Sequence, residues 1–229
     1  MVITEIFKSI QGEGTRAGLP CVFVRLTGCN LRCTWCDTAY AFHGGTRRAL
    51  DEILESVKQL ASSSHERNEL RVPLVEITGG EPLLQPETPE LTQRLLTEKY
   101  TVMIETSGER FVGILPREVI KIVDVKCPDS GEGGTFLMEN LNAIDTKDET
   151  KFVIASRRDY EFAQSFVREH RLDRRVAQVL FSPVFPDPEG KWPGLEAHEL
   201  VQWILADDLP VRLGLQLHKF IWHPATKGV

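Results

Sequence analysis

Seven short runs rich in Val, Ile, Leu and Phe recur along the 229-residue chain, with amphipathic stretches between them, and this alternation restricts the fold most tightly. Residues 21–26, 74–78, 101–105, 120–125, 151–155, 176–181 and 211–215 read as buried strands. Residues 47–61, 89–99, 158–170 and 195–206 space their apolar side chains as helices do. In the third of these, Tyr160, Ala163, Phe166 and Val167 share one face. Such alternation predicts an α/β fold with a mostly parallel sheet covered by helices, and periodicity leaves open whether the sheet curves towards a barrel. The polar stretches 61–68, 129–134 and 183–194 read as loops within a single domain spanning 1–229. In folds of this kind the polar residues just past the C-terminal ends of strands build the site. Thr78-Gly79-Gly80-Glu81, Glu105-Thr106-Ser107-Gly108 and Lys126-Cys127-Pro128 stand in that place.

Five cysteines are an odd number, and three of them crowd into the segment Gly28-Cys-Asn-Leu-Arg-Cys-Thr-Trp-Cys-Asp37, directly after the first of these strands. That crowding is a poor disulfide framework and a good metal or redox site. Cys21, inside PCVFVRL, reads as a small buried hydrophobe. The spacing C-x3-C-x2-C lets three thiolates grip three corners of an iron–sulfur cubane, leaving one iron open to a further ligand. Zinc is the competing reading; it normally takes four protein ligands, and His43 is the nearest candidate for a fourth. A third reading is three purely structural thiols. Ile77-Thr-Gly-Gly-Glu-Pro82 ends the second strand, where paired glycines either shape a turn or let a ligand approach the backbone.

Taken together, Trp35 just before Cys36, which gives C-x3-C-x-aromatic-C, and the Gly79-Gly80-Glu81-Pro82 motif resemble the radical S-adenosylmethionine (SAM) superfamily. The resemblance implies a [4Fe–4S] cluster on Cys29, Cys33 and Cys36, with SAM on the open iron. An electron from the cluster would cleave SAM to a 5′-deoxyadenosyl radical. It further implies that Trp35, Cys36 and Asp37 lie beside SAM and that Gly79, Gly80 and Glu81 meet its amino group. Glu105 and Ser107 would reach the ribose, although Thr106 and Ser107 also suit a helix N-cap. Lys126, Cys127, Pro128 and Ser182 complete the expected SAM contacts.

A narrower resemblance covers the chain from about residue 5 to Trp222. Phe7-Lys-Ser-Ile-Gln-Gly-Glu-Gly14, Phe23-Val-Arg-Leu-Thr-Gly-Cys29, Cys36-Asp-Thr38 and Leu217-His-Lys-Phe-Ile-Trp222 resemble the 7-carboxy-7-deazaguanine synthase family. That family implies a homodimer with a modified, incomplete (β/α) barrel. Its reaction contracts the ring of 6-carboxy-5,6,7,8-tetrahydropterin to 7-carboxy-7-deazaguanine with loss of ammonia, on the way to queuosine. Hydrogen is taken from C6 and later returned, so SAM acts catalytically, and Mg²⁺ assists. Thr38 matches the magnesium ligand, and Ile10, Gln11, Gly12 and Glu13 match the segment that reads the pterin. Arg25, whose forked guanidinium suits a carboxylate, Thr78, Gln216 and His218 match further substrate contacts, His218 being also a candidate for acid–base work. Three departures stand out. Some members have Ser-Pro-Lys where this chain has Lys126-Cys127-Pro128, the Phe181-Ser-Pro-Val-Phe185 segment replaces a glutamine-led one, and some members end near the position of Pro224.

A formal charge of −6 gives no hint of a nucleic-acid surface. No run approaches the roughly 20 apolar residues of a membrane span, and the opening segment lacks a secretory signal, so a cytoplasmic protein is expected. A flavodoxin or ferredoxin is the expected electron donor. The alternatives are another small radical SAM enzyme, such as a glycyl-radical activase, and a zinc-containing binding module.

Overall fold

An antiparallel pair opens the chain: β1 (Val2–Ile10) and β2 (Pro20–Leu26), with Glu5 opposite Arg25 and Phe7 opposite Phe23. β3 (Thr46–Arg47) pairs with the start of β1, and α1 (Leu50–Ala61) leads to β4 (Leu74–Gly79), which runs parallel to β2. The chain continues through α2 (Thr88–Thr97), β5 (Thr101–Thr106), β6 (Ile120–Asp124), β7 (Glu149–Ile154), α3 (Arg157–His170), β8 (Gln178–Pro183), α4 (Ala197–Ala206), β9 (Arg212–Leu213) and α5 (His218–Ile221). Together these strands form one open sheet in the order β3-β1-β2-β4-β5-β6-β7-β8-β9, parallel from β2 to β9. This computed structural model describes residues 1–62 and 72–229; the predicted loop at 61–68 lies, from residue 63 onwards, outside the described residues.

The α/β fold with a mostly parallel sheet is therefore as expected, and it is an incomplete barrel. Crossovers from β5 to β6 and from β6 to β7 carry only single turns of 3₁₀-helix, at Val112–Ile114, Pro128–Ser130 and Met138–Asn142. Several boundaries differ from the expectation. β8 begins at Gln178 rather than 176, and β9 shrinks to two residues. β1 was not expected at all. Among its nine residues only Ile3 is buried, and Glu5 and Lys8 interrupt the apolar run, so it lacks the signature of a doubly covered parallel strand.

Alternation along the strands sorts side chains onto two faces. On the outer face Val22, Val24, Val75, Ile77, Val102 and Ile104 bury themselves against Ile53 and Val57 of α1 and Leu91 and Leu95 of α2. Further along, Phe152, Ile154, Val179 and Phe181 pack on Tyr160, Ala163 and Val167 of α3 and Leu200 of α4. Each such buried side chain contributes ~1.5–3 kcal/mol, so the outer face carries most of the apolar stabilisation. Its inner counterpart has a thinner apolar layer, with Phe23, Leu74, Met103, Ile120 and Ile122. Above that layer the same inward register carries Arg25, Thr78, Glu105, Asp124 and Lys151. These residues line a cavity at the C-terminal ends of the parallel strands.

Candidate active site

The cysteine loop leaves the end of β2 and is tied down on both sides. Gly28 donates its N–H to the Ala41 carbonyl at 2.8 Å, and its own carbonyl accepts from Glu81 N at 2.8 Å. Thr34 N donates to the Ser130 carbonyl at 2.9 Å and Arg32 N to Glu132 Oε1 at 2.5 Å, which fastens the loop to the segment after β6. The Arg32 guanidinium stacks over Phe42 at 4.5 Å. So held, Cys29, Cys33 and Cys36 are free thiols, each half-buried, and all three line the same cavity of about 290 Å³. Burial pushes all three thiols up, Cys36 to about 11, so the metal must displace protons to bind them.

These thiols fit a cubane better than zinc. Among the described residues no three His, Cys, Asp or Glu side chains converge as the ligands of one ion would. A cubane takes its thiolates at separate corners, whereas one zinc gathers its sulfurs within ~2.3 Å of a point. His43, the candidate fourth zinc ligand, is exposed, turned edge-on to Phe42, and does not line the cavity.

Gly79 and Gly80 line the cavity, but their lack of side chains has an internal cause. A Cβ on Gly79, whose φ is 142°, would strike the Leu26 backbone; one on Gly80 would strike the Gly28 carbonyl and lie 2.7 Å from the Cys29 Cβ. The pair lets the end of β4 press against the cysteine loop. Glu81 does not reach the cavity. Its buried carboxylate accepts from Leu83 N at 2.9 Å, from Thr106 Oγ1 at 2.8 Å and from Ser107 N at 2.7 Å, and so joins the ends of β4 and β5. Cys127 and Pro128 also lie off the cavity: Cys127 is buried in the core under α3, and Pro128 opens a 3₁₀ turn. Ser107 does line the cavity, and its buried Oγ has no hydrogen-bond partner. An orphaned hydroxyl facing the cavity is what a polar ligand such as SAM would satisfy. Lys126 and Ser182 line the same space, with Lys126 Nζ 2.5 Å from Asp124 Oδ2. Burial alone would lower the Lys126 ammonium; Asp124 and Cys33 outweigh it and raise it.

A charge cluster fills the floor. Lys151 Nζ bonds Glu13 Oε2 at 2.8 Å and also bonds Glu105, with Asp124 Oδ1 at 4.0 Å. Desolvation would raise Glu13, but Lys151 overcomes it and holds the carboxyl low. At Glu105 burial wins over the same lysine, and its carboxyl is raised. Gln216 Nε2 donates to Glu13 Oε1 at 2.9 Å. The Gln11-Gly12-Glu13 segment is set in place by a backbone bond from Leu217 N to Gly12 O at 3.0 Å and by the His218 ring, which fills the space a side chain on Gly12 would need. Burial lowers His218, favouring its neutral form. Glu149 secures the next turn by accepting from Thr15.

On the opposite wall Arg25 donates from Nε to Glu5 Oε1 at 2.8 Å, and Tyr40 OH donates to the same oxygen at 2.7 Å. The Arg25 Nη groups make no hydrogen bond among the described residues and are available to the cavity. Thr38 Oγ1 donates to Asp37 Oδ1 at 2.9 Å, which leaves its lone pairs open. Desolvation would raise Asp37, and the Lys219 ammonium at 2.6 Å overcomes it and holds the carboxyl well down. Residues from Pro224 to Val229 fold back along this wall, with Lys227 Nζ 4.3 Å above the Tyr40 ring.

Every site residue expected from the sequence therefore lines one cavity, apart from Glu81, Cys127 and Pro128. Glu5, Tyr40, Glu76, Asp124, Glu149, Lys151 and Lys219 belong to the site and were not foreseen. A signal existed for two of them: Glu76 interrupts the apolar run LVEIT, and Lys151 shares the inward parity of β7.

Comparison with known proteins agrees with this geometry. The Radical SAM superfamily profile matches residues 23–127. The 7-carboxy-7-deazaguanine synthase of Koribacter versatilis is 53% identical over 235 aligned positions, covering 100% of both chains. That of Chlorobaculum tepidum is 41% identical, covering 99% of this chain and 96% of its own. The crystal structure of QueE from Escherichia coli, at 23% identity, shares the fold with a TM-score of 0.72 over 95% of this chain and 94% of that one. The chain belongs to the 7-carboxy-7-deazaguanine synthase family of radical SAM enzymes.

Proposed function

We propose that this chain converts 6-carboxy-5,6,7,8-tetrahydropterin to 7-carboxy-7-deazaguanine with loss of ammonia. One observation carries the reading: a single cavity is lined by three free cysteines, an orphaned Ser107 hydroxyl and the uncommitted Nη groups of Arg25. Cys29, Cys33 and Cys36 would hold a [4Fe–4S] cluster, and Ser107 would offer its free hydroxyl to SAM. When bound, the cluster and SAM supply the radical that takes hydrogen from C6 of the pterin.

The chain's own residues bind and orient the substrate. Arg25 meets its carboxylate through the two Nη groups, a charge-assisted, forked contact. Gln11, Glu13 and Gln216 present hydrogen-bonding groups to the ring, and Lys151 offsets the carboxylates around it. His218, neutral through burial beside Gly12, is placed to accept a proton. Thr38 offers one neutral oxygen to Mg²⁺, whose other ligands would be substrate and water. Residues from Ile10 to Val229 contribute to one cavity, which suits a single working unit spanning 1–229. A homodimer, a flavodoxin or ferredoxin as electron donor and a cytoplasmic location complete the reading. No described helix is long and apolar enough to cross a membrane.

The test is anaerobic reconstitution with iron and sulfide, then addition of reductant, SAM, Mg²⁺ and the pterin, with products followed by mass spectrometry. 7-Carboxy-7-deazaguanine is expected. SAM cleavage with the pterin untouched would discard the substrate, and zinc in place of iron and sulfide would discard both. In the same assay Arg25→Ala should raise KM by roughly ten- to a hundredfold, since it strands a carboxylate. Thr38→Ala should abolish magnesium stimulation, and unchanged stimulation would remove Thr38 from the metal.

A further inference from the structure

Glu76 is out of place by ordinary rules. It sits at mid-strand in β4, 3% exposed, with Phe23 and Met103 opposite it on the neighbouring strands. No Lys, Arg or His forms an ion pair with it among the described residues. A buried carboxyl with no cation in direct contact is costly, even with Lys151 and Arg25 attracting it from further off, and such sites concentrate where function needs them. Burial, Glu105 and Glu13 all push its carboxyl well above the usual range. Its carboxylate bonds to Gln11, whose Nε2 donates to Glu76 Oε2.

The Gln11 amide is held from both ends. Glu13 N donates to Gln11 Oε1 at 2.7 Å, which fixes the oxygen on that side and turns Nε2 towards Glu76. A flipped amide would set two donors against each other at Glu13. The backbone is fixed as well, because Gln11 N donates to Leu19 O and Gln11 O accepts from Gly18 N, both at 2.8 Å. One N–H and one oxygen lone pair of the amide then remain for the cavity that Gln11 lines. Adjacent donor and acceptor in one plane match the lactam edge of a 2-amino-4-oxopyrimidine ring, with N–H beside C=O.

We propose that Glu76 is a substrate-positioning residue that acts through Gln11, holding its amide in the one orientation that reads the lactam edge of the pterin. This rests on the pterin reading of the cavity. Oε2 accepts whether or not the other oxygen carries a proton, so glutamine can replace the acid and methionine cannot. Methionine fills a similar volume and removes a buried carboxyl, which offsets the loss of the Gln11 bond, so Glu76→Met should still fold.

The experiment is an anaerobic equilibrium titration of the reconstituted protein with 6-carboxytetrahydropterin and with its 2,4-diamino counterpart, in which the lactam acceptor becomes a donor. Native protein should prefer the lactam. Glu76→Met should cut that preference by about tenfold, the worth of a hydrogen bond to a held donor–acceptor pair. Its KM should rise by a similar factor with kcat changed less than about threefold. Glu76→Gln should keep the preference to within about threefold, and Glu76→Met added to Gln11→Ala should have no further effect. Unchanged preference in Glu76→Met, or a further loss in the Gln11→Ala background, would overturn the proposal. So would equal damage in Glu76→Gln, which would mean that charge rather than the accepted bond matters. If Glu76→Met does not fold, Glu76→Ala and Glu76→Gln carry the same comparison. Native protein that binds neither pterin would overturn the substrate reading itself, an outcome distinct from the rest.

Discussion

Single side chains in the floor of this cavity set its response to pH. Glu76 faces Glu105 and Glu13 and, on the attractive side, Lys151 and Arg25, with Cys21 beside it. Its folded-state carboxyl is raised, so the folded chain keeps a proton that the unfolded chain gives up near pH ~4.3. The contribution of this group to stability is therefore full below that pH and is lost as pH rises through its folded value. Glu76→Gln should flatten this decline, checked by denaturant midpoints of native and variant chains across the acid-to-neutral range; parallel curves would contradict it. The cysteines, by contrast, were legible from residue type and spacing. Glu76 and Lys151 left only a partial signal, a charge within an apolar run, and their place in the site emerges once the register of neighbouring strands is known.

Loops and strand ends are fitted to one another more tightly than their composition suggests. Gly80→Ala drives a Cβ into the Gly28 carbonyl and the Cys29 Cβ, so it should cost ~1–3 kcal/mol and displace the cysteine loop. Iron bound after reconstitution should fall sharply; full iron content would contradict this fit. Asn140 plays the matching part where helices are lacking. Its Oδ1 accepts from Val112 N at 3.0 Å, and its Nδ2 donates to the Gly108 and Arg110 carbonyls at 2.9 Å each. Asn140→Ala should cost about 3 kcal/mol, one for each bond lost, measured by chemical unfolding. The glycine motif was visible in the sequence, but not that Gly79 and Gly80 also make room for the chain itself. Nor did the motif reveal that Glu81 is spent on Leu83, Thr106 and Ser107. Pairwise fit between distant segments leaves no local trace.

At the scale of the whole molecule the division of labour is between faces of the sheet. Helices seal the outer face with apolar side chains, which frees the inner face to carry charge around a cavity. The α/β alternation was readable because strands β4 to β6 are buried along most of their length and read as mainly apolar runs. β1 escaped because Glu5 and Ser9 interrupt its inward face and leave Phe7 alone to pack on the inner apolar layer, stacked on Phe23. The cavity also bears on the chemistry, since the side chains lining it would limit the access of water to a radical formed there. The most direct test is the number of 7-carboxy-7-deazaguanine molecules formed per SAM consumed by the reconstituted protein. Many products per SAM are predicted; one or fewer would mean that hydrogen is not returned, contradicting catalytic use of SAM in this site.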